Sequence, residues 1–260
     1  MSVPARFGST RIVLVALLLV AFARSMPARA AGTIFLARCA PSGCTYSPGV
    51  DDSTTNHSSL VNGQKQLSAF PHGDASWSEL VACVARAYAP FDVTVTDVDP
   101  GTNPHWEIAV AGTPANIGLP SGVLGVAPFT CNVVANGVAF AFAGATQNVA
   151  QLCWTTVQQG GSLFGLDHEY LAADAMTYLA DSLEKRFTST DAPCGEFSPR
   201  ACTCGGSTQS SATLLRSILG PAGPGAEVFA DGFSALTSGE PSPVEYGSTS
   251  RWDAQVPAAP

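Results

Sequence analysis

Residues 158–178 carry the side chains whose types and spacing come closest to a reaction centre. Gln158 and Ser162 stand four apart, which on a helix puts them on one face. Gln159 adjoins the first, Gly165 follows three residues after Ser162, and His168 three residues after that. A catalytic zinc would need imidazole ligands and a glutamate to polarise a metal-bound water, and of these side chains only His168 is of a ligating type. A glutamine amide takes up no proton near neutral pH and does not match imidazole as a zinc ligand, and a serine hydroxyl ligates poorly unless ionised. Gly160 and Gly161 lie between the two helix positions, and each costs about 1 kcal/mol relative to alanine in a helix interior, a poor frame for two rigid ligands.

Other chemistries are weaker. Ser162 with His168 and an acid suggests a nucleophile, but Gly-Gly-Ser-Leu-Phe is not a Gly-x-Ser-x-Gly elbow. Asp167, His168 and Glu169 adjoin, and His57, His72 or His105 would have to approach in space to build a different metal site. The oxygens of Asp51–Asn56 do not have the spacing of an EF-hand, so that stretch reads as a solvated loop. Asn56-His57-Ser58 is a glycosylation sequon.

The positioning elements follow from periodicity. Residues 31–38 form a short apolar strand and 41–65 a polar connection. A helix opens at Asp74, with Asp74 as N-cap or Ser76 and Glu79 as a capping box, and Pro90 ends it. Trp77, Leu80, Val81, Val84, Ala85 and Tyr88 give it one apolar face. Residues 92–98 alternate with period two, and 105–111, a short stretch at 123–127 and 137–143 read as further strands. Residues 147–164 form the helix that carries Gln158 and Ser162, with Ala150, Cys153, Trp154, Val157, Gly161 and Phe164 on its other face. A short helix is expected at about 209–219. The fold class is α/β (α+β), helices against a mixed sheet.

The first thirty residues read as a secretory signal peptide. Arg6 and Arg11 precede the twelve apolar residues Ile12–Ala23, and Ala28-Arg29-Ala30 supplies small residues two apart. Removing it takes four of twelve basic residues and none of twenty acids, moving the net charge from −8 to −12. A chain this acidic repels phosphate backbones and anionic headgroups, so neither nucleic acid nor membrane is an expected partner after cleavage. The eight cysteines, Cys39, Cys44, Cys83, Cys131, Cys153, Cys194, Cys202 and Cys204, all follow the signal. An even number in an exported chain reads as up to four disulfides, with Cys39–Cys44 closing a small loop and one bridge within 194–204. A thiolate metal site at Cys194, Cys202 and Cys204 lacks a Cys-x-x-Cys knuckle. Residues 221–260, rich in Pro, Gly, Ala and Ser, read as a mobile tail.

The frame Gln158 to His168, with Asp174-Ala-Met176-Thr-Tyr178 after it, resembles the metzincins, secreted zinc endopeptidases with the signature His-Glu-x-x-His-x-x-Gly-x-x-His followed by a Met-turn. The resemblance runs over 31–205 in element order: strand, helix, three strands, active-site helix, glycine turn, third histidine, Met-turn. Its sequence support is Gly165, His168, Met176 and Tyr178. It implies a metzincin-like domain over 31–220, with the first ligand position on Gln158, the general base on Gln159, the second ligand on Ser162, the residual ligand on His168, and Met176 and Tyr178 in the Met-turn. The expectation is an exported pseudo-peptidase with a degenerate zinc site, secreted or periplasmic, with no cofactor and with a peptide or protein as partner in a vestigial cleft. The alternatives are an active metallopeptidase holding zinc through an atypical ligand set, and a purely structural or binding secreted protein.

Overall fold

The computed structural model of the chain describes Met1, residues 32–179 and residues 184–223. The expected signal segment, Met1 apart, and the expected tail beyond residue 223 lie outside them. In chain order the elements are β1 (Gly32–Ala37), β2 (Cys44–Pro48), β3 (His57–Ser58), β4 (Lys65–Leu67), α1 (Gly73–Tyr88), β5 (Val93–Thr96), β6 (Trp106–Val110), β7 (Gly125–Val126), β8 (Val138–Ala141), α2 (Val149–Leu163), β9 (Ala192–Pro193), β10 (Thr208–Gln209) and α3 (Ser211–Leu219). The main sheet has the order β5-β1-β6-β8-β7, parallel except for β7, which pairs antiparallel with β8 at the edge. The chain is a mixed α/β protein.

Both faces of this sheet are covered, which is why its central strands read as apolar runs rather than alternating ones. Ile34, Leu36, Ile108, Val110, Ala139 and Ala141 face α1 and α2 in one core cluster. Ala37, Ala109, Val138 and Phe140 face the other way, against Tyr46 and Leu67 of the small β3-β2-β4 sheet. Glu107 is the exception on that second face, a carboxylate only 3% exposed among apolar neighbours.

The helices α1 and α2 pack closely because glycine permits it. A Cβ on Gly160 would come inside 3 Å of the Tyr88 hydroxyl, and the same hydroxyl donates to Val157 O at 2.9 Å. A Cβ on Gly161 would meet the sulfur of Met176 equally closely. The two glycines are therefore packing requirements rather than slack left in a helix without a job. The Cys83–Cys153 disulfide staples the same pair of helices. Closing 70 residues, it stabilises by about 4 kcal/mol on the loop-entropy account.

All eight cysteines pair: Cys39–Cys44, Cys83–Cys153, Cys131–Cys204 and Cys194–Cys202. The thiolate metal reading fails on that pairing. Four disulfides indicate an oxidising, non-cytosolic compartment. No helix among the described residues is long and apolar enough to cross a membrane.

Several local expectations need correction. Asp74 is not the N-cap of α1, which begins at Gly73 after His72 with no side-chain cap; the Asp74 carboxylate instead pairs with Arg38. Residues 41–65 are not simple loop, because they supply β2 and β3 and lead into β4. Asp52 uses its oxygens on Thr54, Thr55 and Asn136, so that stretch is tied internally rather than open to calcium. On α2 the two faces are not apolar and polar: Gln158, Gln159 and Ser162 are buried along with Val157 and Leu163.

Candidate functional site

Asn148 caps α2 by accepting from the Gln151 N–H, and the helix runs to Leu163. The chain then reverses at Gly165. Its φ is +81°, and a Cβ there would lie 2.9 Å from both Asn132 N and Cys131 C, so only glycine fits on two counts. The reversal brings 167–178 back beneath α2. Met176, fully buried, sits under Gly161.

The positions read as ligands are occupied by internal hydrogen bonds. Gln158 Nε2 donates to Thr177 O at 3.1 Å, fastening the helix to the turn that carries Met176. Ser162 Oγ donates back to Gln158 O at 3.2 Å. Gln159 packs its Cγ beside Gly125 of β7, and its amide has no hydrogen bond among the described residues. His168 Nδ1 donates to Glu196 Oε1 at 2.9 Å, since a carboxylate can only accept. The His168 ring lies 4.4 Å from that of Tyr178, which in turn meets Phe197 at 5.8 Å. Tyr178 and Phe197 are exposed.

Around His168 the charges form a chain that sequence reasoning missed. Arg200 grips Asp167 with two nitrogens at 2.8 Å each and reaches Glu196 Oε1 with Nη2 at 2.7 Å. Backbone N–H groups of Thr203 and His168 also donate to Asp167. Burial opposes ionisation of Asp167, but the Arg200 contact and the backbone donors outweigh it and hold the carboxyl well below its usual range. Glu196 is brought down to about 2, first by its hydrogen bond with Arg200 and then, against some burial, by His168. The Cys194–Cys202 and Cys131–Cys204 bridges hold the loop that carries these groups. The signal available in sequence was the Glu196/Arg200 pair, four apart inside a cysteine-rich loop.

Beneath this network lies a second acidic pair. Glu169 is fully buried, with Oε1 accepting from Gln209 Nε2 at 3.1 Å and Oε2 without a hydrogen-bond partner among the described residues. Burial, then the nearby Asp174, pushes its carboxyl up to about 8. Asp174, also fully buried, accepts from Met176 N, Thr188 N and Ser211 Oγ, so it ties the Met176 turn to the start of α3.

Among the described residues two groups have ligand atoms close enough for a metal: Asp167 with Cys194 and Cys202, and Asp167 with His168 and Glu196. The first is blocked because its cysteines are bonded to each other. In the second, the guanidinium of Arg200 already supplies the cation to both carboxylates. The other histidines are engaged elsewhere, His57 with Thr55, His72 with Ala143 O and His105 with Asn103 O. A catalytic zinc does not fit these donors: one imidazole, one amide hydrogen-bonded to a carbonyl and one back-bonded hydroxyl. No protein-family model matches the chain, and no curated protein matches it.

Proposed function

We propose that the chain is an exported, non-catalytic protein of metzincin-like architecture, in which the zinc centre has been replaced by packing and a guanidinium-centred charge network. The observation that carries the reading is the use made of the ligand positions: Gln158 and Ser162 are tied into α2 and the Met176 turn, and Arg200 stands as the cation beside His168. Support for the ancestry comes from the order of the main-sheet strands and the two long helices, β1, α1, β5, β6, β7, β8, α2, with β2–β4 inserted after β1 and the Gly165 reversal, His168 and buried Met176 following. His168 alone keeps a ligand-like posture, with Nδ1 anchored on a carboxylate and Nε2 free of any hydrogen bond among the described residues. The partner on this reading is a peptide or protein in the vestigial cleft.

Metal content tests it. Purified protein should contain far less than one zinc per chain and show no chelator-sensitive proteolysis of casein. One tightly held zinc with chelator-abolished cleavage would overturn the proposal and favour an active metallopeptidase with an atypical ligand set. Restoration tests the register separately: Gln158→His, Gln159→Glu and Ser162→His together should recover zinc binding, with His168 already oriented. A folded triple variant that binds no zinc refutes the alignment.

A further inference from the structure

A cavity of about 540 Å³ opens on the sheet face that looks away from α2, lined by Phe35, Ala37 and Glu107 from the strands and by Asp97 and Asp99 from the β5–β6 connection. That volume is in the range of small-molecule sites. Its three carboxylates are each tied by one oxygen and open at the other. Tyr46 donates to Glu107 Oε1 at 2.7 Å, Trp77 Nε1 to Asp97 Oδ2 at 2.9 Å, and the Gly101 N–H to Asp99 Oδ1 at 2.7 Å. Glu107 Oε2, Asp97 Oδ1 and Asp99 Oδ2 have no hydrogen-bond partner among the described residues. Glu107 is 3% exposed, so its free oxygen belongs to a buried group facing the cavity rather than to a solvated surface carboxylate.

Among the described residues the one cation in the lining is Arg38; its Nη2 is directed elsewhere and its Nε is buried without a partner. It pairs with Asp74 and lies over the rings of Phe70 and Trp77 at 5.9 and 5.7 Å. An anionic ligand would therefore meet three carboxylates without a free counter-charge. A single metal ion is a poor match as well, because the three carboxylates do not come within bridging distance of one point. Separated negative charges, with Phe35 and Trp77 in the wall, suit a longer molecule that carries several positive charges on an alkyl chain. Burial pushes the Glu107 carboxyl up to about 7, with the Tyr46 hydrogen bond opposing and Asp99 adding to it.

We propose that this cavity binds a linear organic polyamine, with Glu107 seating one ammonium in its interior and Asp97 and Asp99 holding another at its mouth. The site uses none of the α2 residues and is independent of the zinc-site reading.

Calorimetric titration of the oxidised protein with spermidine at low salt tests this. One saturable site per chain is expected. Glu107→Gln, which keeps an acceptor for Tyr46, and Asp99→Asn at the exposed rim should each weaken binding by about tenfold, the usual loss of a charge-assisted hydrogen bond. Asp191→Asn, an exposed carboxylate outside the cavity, should leave it unchanged, and calcium and magnesium chloride should give no saturable heat at this site. Absence of saturable spermidine binding would overturn the proposal. So would equal losses in the Asp191 and Asp99 variants, which would mean diffuse attraction to an acidic surface, or calcium binding that Glu107→Gln abolishes.

Discussion

Gly160→Ala is the sharpest test of how α2 is built. Helix propensity alone makes this substitution stabilising by about 1 kcal/mol. The packing around Gly160 predicts the opposite. The new methyl would fall inside 3 Å of the Tyr88 hydroxyl and 3.2 Å from Ile108 Cδ1, and both side chains are fully buried with no room to withdraw. Overpacking of this kind costs about 1–3 kcal/mol. Displacing the hydroxyl from Val157 O leaves a buried donor unsatisfied, another 1–3 kcal/mol or so. Set against the propensity gain, the variant should lose about 2–3 kcal/mol. Urea denaturation with disulfides intact would show this as a lower midpoint at unchanged slope. A double-mutant cycle isolates the cause. Tyr88→Phe should cost about 1 kcal/mol by itself, but in its presence Gly160→Ala should be close to neutral, a coupling of about 2 kcal/mol. If Gly160→Ala is as stable as the parent, or if Tyr88→Phe does not relieve its cost, the close approach of α1 and α2 is wrong. The glycines would then be the relaxed helix interior that the sequence first suggests.

The buried acids make two further predictions. Glu169 has a folded pKa raised to about 8 against about 4.5 unfolded, so its contribution is present in full below about 4.5 and is lost as pH rises toward 8. Glu169→Gln should therefore match the parent near pH 4 and exceed it by a few kcal/mol at pH 8, at about 1.4 kcal/mol per pH unit of difference; thermal melts across that range that stay parallel would refute it. Asp167 and Glu196 are shifted the other way, so the stability they lend is present above about pH 4 and is lost as pH falls through their folded values, about 2 for Glu196 and lower for Asp167. Arg200→Met should cost about 1–2 kcal/mol at neutral pH, the lower part of the usual range because the pair is partly solvated, and should flatten the acid limb of the stability curve. An unchanged acid limb in that variant would mean that Arg200 does not set these titrations.

The legible parts of this protein are those whose cause is local. The spacing of Trp77, Leu80, Val84 and Tyr88 marks α1 because a buried helix face repeats every three to four residues. The runs at 105–111 and 137–143 mark β6 and β8 because strands covered on both faces need apolar residues throughout. The stretch 41–65 hid its strands for the converse reason: β2, β3 and β4 are two to five residues long, and cross-strand partners, not their own pattern, hold them extended.

Gln158, Gln159 and Ser162, read by side-chain chemistry alone, exclude a conventional zinc ligand set, because an amide and a hydroxyl lack an imidazole's basic lone pair in any fold. The even cysteine count and the chain's acidity are likewise properties of composition. Tertiary structure decided what those groups do instead. Gly160 meets Tyr88 from 72 positions away, and Arg200 joins Asp167 and Glu196 beside His168 across 33 and 4 positions. Glu107 became a buried charge only when β6 was placed between β1 and β8 under Tyr46. Close approach and desolvation depend on which distant residues the fold brings together, and local sequence encodes neither.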